Sequence, residues 1–121
     1  MEQTERTGEI VCPEHLIDSF GHVYNGFYTE LVRLLLIKED LLVLIESYLK
    51  IYDFSFERFL RRETIKFKKE ITCHKPINYK IEVKPSNQKV RIFCKLYVAN
   101  AIEATQIELS FGNKQKCQTK Q

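Results

Sequence analysis

The hydrophobic period of this chain changes once, and that change limits the folds open to it. Between Gly26 and about Ile37 the residues Phe27, Leu31, Leu34 and Leu35 recur at helical spacing, and Val32 and Leu36 widen the stripe. A helix this apolar has to be nearly surrounded by protein. "KEDLLVLIESYLK" continues as a second helical stretch, with Asp40 as candidate cap. After about residue 58 the period becomes two. "ETIKFKKEI" sets Ile65, Phe67 and Ile71 against Lys66, Lys68 and Glu70, and "INYKIEV" and "KVRIFCKLYVA" alternate in the same way. "PSNQ" reads as the turn between those two. "NA" breaks the pattern before a last strand, "IEATQIELSF".

With "EIVCP" as a short first strand ended by Pro13, the order is strand, loop, long buried helix, then four strands in a row. That order predicts an α+β domain in which one curved antiparallel sheet packs around one long central helix. Short turns between the last strands predict a meander. A lone small sheet has open edges, so pairing with a second subunit is natural. At 121 residues the chain is expected to be one domain, residues 1–121, with 1–8 and 113–121 flexible.

Composition excludes several classes. No window is long and apolar enough for a transmembrane helix, and "MEQTERTGEI" lacks the basic start and apolar run of a secretory signal. A cytoplasmic protein without membrane association is expected. Cys12, Cys73, Cys94 and Cys117 form no C-x-x-C pair, which argues against a zinc ribbon or redox motif. Cys94, inside "VRIFCKLYV", reads as a small buried hydrophobe. His15 and His74 have no partners at metal-ligand spacing, and no metal or other cofactor is expected.

The net charge is only +3, but from Arg61 to Lys95 basic residues greatly outnumber Glu63, Glu70 and Glu82. Such a run is either a solvated strand face or a surface that attracts phosphates or an acidic protein. No nucleic-acid recognition motif accompanies it, so nucleic acid is not an expected partner.

The remaining signal is "HLIDSFGHVYNGFY", a polar loop running into the most apolar segment. Asp18 to Tyr28, "DSFGHVYNGFY", resembles the D-x-x-G-H-V-x-N-x-x-Y signature of hotdog-fold acyl-CoA thioesterases of the 4-hydroxybenzoyl-CoA thioesterase type. The resemblance spans about residues 9–112, and "RETIKFKKEITCHKPI" is similar to the family's second strand. It implies a hotdog fold, with Asp18 as catalytic carboxylate and the backbone amides around Asn25 and Gly26 receiving the thioester oxygen. It further implies a homodimer or homotetramer acting on an acyl-CoA or acyl-carrier-protein thioester. Many relatives carry a second acid two residues before the catalytic one; here that position is Leu16.

The chemistry suits these residue types. A carboxylate is ionised at neutral pH and can attack a thioester carbonyl or take a proton from water. A helix N-terminus offers unpaired N–H groups and partial positive charge, which can stabilise an oxyanion. Gly21 permits close backbone approach. His22 can orient the loop, bond Asp18 or contact substrate. Each residue also has a plainer role: Asp18 as loop acid or cap, Asn25 as helix cap, and Tyr24, Phe27 and Tyr28 as core or interface aromatics. A non-catalytic hotdog module that binds acyl thioesters or a protein partner is the alternative. A hotdog dehydratase ranks last, because its longer His-and-acid motif is not visible.

Overall fold

The computed structural model describes residues 3–16, 27–71 and 75–112, and of residue 100 the backbone alone. Five strands, β1 (Thr4–Val11), β2 (Leu60–Phe67), β3 (Pro76–Ser86), β4 (Lys89–Val98) and β5 (Ile102–Gly112), form one sheet. Its order is β1-β3-β4-β5-β2, and every pairing is antiparallel. β3, β4 and β5 make the expected meander, with the first turn at residues 87–88, where Gln88 takes a left-handed φ of 60°. β2 does not join that meander. It sits beyond β5 at the sheet edge. The burial pattern explains this: β3 buries Ile77, Tyr79, Ile81 and Val83 and is flanked on both sides, whereas β2 buries none of its residues fully. β1 also begins earlier than expected. Residues 4–8 are paired with β3 rather than frayed. The tail, 113–121, lies outside the described residues.

The central helical region is shorter than a single long helix. It divides into α1 (Tyr28–Lys38) and α2 (Leu42–Leu49). Asp40 separates them with a left-handed φ of 59°, and the N-cap of α2 is Leu41, so Asp40 breaks the helix instead of capping the next. Eleven residues make α1 about 16 Å long, enough to cross three or four strands. A single turn, α3 (Phe56–Phe59), precedes β2, and its cap is Ser55, whose Oγ accepts from the Arg58 N–H at 3.3 Å.

Both helical segments pack on the same face of the sheet. Leu31, Val32, Leu35 and Leu36 of α1 and Ile45 and Leu49 of α2 share one core with Ile81, Ile92, Leu109 and Phe111. Phe54 and Phe56 close one end of that core, each edge-on to Phe111 at 5.0 Å. Cys94 is fully buried in it, as its alternating strand predicts. Among the described residues, no helix is long and apolar enough to cross a membrane.

Candidate functional site

α1 begins at Tyr28, two residues after Gly26, and Phe27 holds the N-cap position without a side-chain hydrogen bond. Asn25, expected from the sequence as a helix cap, lies outside the described residues. The N–H groups of this first turn have no acceptor within the helix, and they carry the positive end of its dipole. Asp18, Gly21, His22, Asn25 and Gly26, the residues singled out from the sequence, all lie outside the described residues. Their two flanks are placed, however, and they face a common groove.

That groove has a volume of about 640 Å³ and opens beside the start of α1. Leu16 and Phe27, the described residues that bracket the loop, form its apolar side with Phe56 and Leu60. His15, Thr29, Glu30, Arg33 and Glu57 form its polar side. The fold brings these together because β1 delivers the chain to a short 3-10 turn at Glu14–Leu16, while α3 places Phe56 and Glu57 against the same helix end.

Glu30 and Arg33 pair with each other at the groove. Arg33 donates from Nε to Glu30 Oε1 at 3.0 Å and from Nη2 to Oε2 at 2.6 Å, a two-pronged pairing one helical turn long. Those hydrogen bonds hold the Glu30 carboxyl below the usual carboxylate range, and the nearby His15 acts weakly in the same direction. The same pairing raises the Arg33 guanidinium. A half-exposed, mutually paired anion and cation thus stand beside an apolar wall, an arrangement able to orient a ligand with both polar and hydrocarbon parts.

Sequence reasoning did not single out Glu30, Arg33, His15 or Glu57. The spacing of three between Glu30 and Arg33 on a predicted helix was the available signal. Nothing local pointed to His15 or Glu57, which reach the groove only through tertiary packing.

Deeper in, Tyr28 is buried with its ring edge-on to Phe67 at 5.2 Å, and burial raises its phenol above the ordinary tyrosine range. Cys12 and Cys94 are buried free thiols, and desolvation pushes them up to about 11 and about 12. Among the described residues, no group of three His, Cys, Asp or Glu side chains is placed to hold a metal ion.

The fold is similar to that of solved thioesterases. A DHNA-CoA thioesterase from Staphylococcus aureus superposes with a TM-score of 0.64 at 15% identity, covering 89% of this chain and 72% of the other. A 1,4-dihydroxy-2-naphthoyl-CoA thioesterase from Synechocystis gives 0.61 at 13%, covering 90% and 81%. A Thermus thermophilus thioesterase complexed with coenzyme A and zinc gives 0.64 at 12%, covering 91% and 79%. No family model and no curated protein sequence matches the chain. At these identities the likeness is one of fold: the chain has the hotdog fold that these thioesterases share.

Proposed function

We propose that this protein is a thioesterase, using water to cleave an acyl-CoA or acyl-carrier-protein thioester into a free acid and a thiol. The observation that supports this most is the groove at the N-terminal end of α1, flanked by the two residues that bracket the D-S-F-G-H-V-Y-N loop. Asp18 supplies the carboxylate. In one route it attacks the carbonyl carbon and expels the thiolate, leaving an anhydride that water opens. In the other it takes a proton from the attacking water. Backbone N–H groups of Asn25 and Gly26, which precede α1 in sequence, donate to the oxyanion and stabilise its charge. Gly21 and His22 support the loop, and α1 with α2 serves as the central helix.

Solved neighbours that hold coenzyme A favour a CoA thioester as substrate. β1 and β2 are the two edges of the sheet, and β2 contributes Leu60 to the groove. Pairing through β2 in a homodimer or homotetramer would place a second subunit beside the site. The protein works in the cytoplasm in this reading.

The test is thiol release across short, long and aromatic acyl-CoAs, with Asp18→Asn alongside. Turnover by the wild type that the variant loses, with the fold intact by circular dichroism, supports the enzyme and its carboxylate. Turnover that survives in the variant removes Asp18 from the mechanism. Saturable acyl-CoA binding without hydrolysis favours the non-catalytic module.

A further inference from the structure

The face of the sheet turned away from the helices is organised by charge. Register places Lys80 opposite Lys95, Lys95 opposite Gln106, and Gln106 opposite Lys66, so three ammonium groups lie in one row across β3, β4, β5 and β2. A parallel row runs Lys84, Arg91, Ser110 and Arg62. The row between them holds Glu82, Phe93, Glu108 and Thr64.

Acids meet the first row only at its margins: Glu103 accepts from Gln106 and feels the charge of Lys95 while pairing with Lys68. Glu108 is taken by Arg91 at 2.9 Å, and Lys80 reaches only Glu5, at 3.9 Å. Lys84 and Arg91 lie over the Phe93 ring at 4.5 and 4.9 Å from its centroid. Among the described residues no carboxylate lies within 4.0 Å of Lys66 or Lys95, although the charge of Lys95 is felt by Glu103. Lys80 and Lys95 are directly opposite on neighbouring strands, an arrangement of like charges that opposes folding.

A depression of about 120 Å³ lies between those two lysines, lined by Thr64, Lys66, Phe93, Lys95, Gln106 and Glu108. The depression has room for one phosphoryl group and opens to solvent on one side, where a larger carrier of that group could extend. Two strand spacings separate Lys66 from Lys95, about 10 Å at the backbone, a gap that two lysine side chains can close over one anion. Thr64 brings a hydroxyl. The Gln106 amide donates one N–H to Glu103, which leaves it a second.

We propose that this depression binds a phosphoryl group, held by Lys66 and Lys95 with Thr64 and Gln106 as neutral donors. The site lies on the face opposite the helices and is independent of the thioesterase reading. The experiment is an amide-resolved NMR titration of the full chain with inorganic phosphate and, separately, ADP, at constant ionic strength set by chloride. The double variant Lys66→Gln with Lys95→Gln runs in parallel. Both side chains are solvent-accessible, so the variant keeps the fold.

Saturable shifts confined to Thr64–Lys66, Lys95 and Gln106, weakened at least about tenfold in the variant, support the site. Tighter binding of ADP identifies the phosphate as one carried by a nucleotide, and equal binding identifies free phosphate. Shifts spread evenly over all lysines, or unchanged in the variant, overturn the proposal. So does binding of poly-glutamate without any response to phosphate, which would make the face a surface for acidic protein.

Discussion

Tyr79 fills the space in which Gly8 would carry a side chain. The two residues are partners in the β1–β3 register, and a Cβ on Gly8 would lie 2.6 Å from Tyr79 Cζ. The Tyr79 hydroxyl accepts from Lys38 Nζ at 3.0 Å and donates to Glu39, so the ring ties the β1 edge to the end of α1. Tyr79 is 2% exposed and held at its tip, so it cannot swing aside freely. Gly8→Ala should therefore cost about 1–3 kcal/mol. Urea denaturation measures this, and an unchanged midpoint would show that the ring relocates at no cost.

Thr105 carries a buried hydroxyl whose oxygen has no hydrogen-bond partner among the described residues, although the side chain faces the Tyr28 phenol. A buried unpaired polar atom costs about 1–3 kcal/mol. Thr105→Val keeps the shape and removes that atom. The variant should be as stable as the wild type or more so, by up to about 1 kcal/mol. A marked loss would mean that Tyr28 depends on that hydroxyl.

Burial raises the Cys94 thiol to about 12 and the Cys12 thiol to about 11, from an unfolded value of 9.0. A raised folded pKa means that the native state holds its proton longer than the unfolded chain. Stability from this source is complete below pH 9.0 and is lost as the pH climbs toward 11–12. Chemical denaturation from pH 8 to 11 should show that decline, less steep in Cys94→Ala once corrected for its lower baseline. The native protein should also shield both thiols from a thiol-reactive dye at neutral pH.

The Lys80–Lys95 pairing predicts a gain from removing charge. Lys95→Gln should raise stability at low ionic strength by about 0.2–1 kcal/mol. Salt screens the repulsion, so the gain should shrink in about 1 M salt, where the screening length is about 3 Å. Thermal unfolding at the two ionic strengths measures it. Equal effects in both would place the change in packing instead of charge.

The strands were legible because their alternation is local. Ile77, Tyr79, Ile81 and Val83 each face the core because successive strand residues point to opposite sides, and no distant contact is needed to read that. The apolar stripe of α1 was legible for the same reason. The break between α1 and α2 was not, because Asp40 in a left-handed conformation is one of several ways to end a helix. The place of β2 beyond β5 was also hidden, since pairing partners are chosen by which strands need cover on both sides.

The site divides along the same line. Composition and the loop motif determined where chemistry was to be sought, between Leu16 and Phe27. Only the tertiary structure brought Phe56 and Glu57 of α3 to the start of α1, and only the register set Lys66, Lys95 and Gln106 side by side. Hydrophobic period is a property of neighbours in sequence, whereas a groove or a charged row is made by residues that meet through packing and strand order.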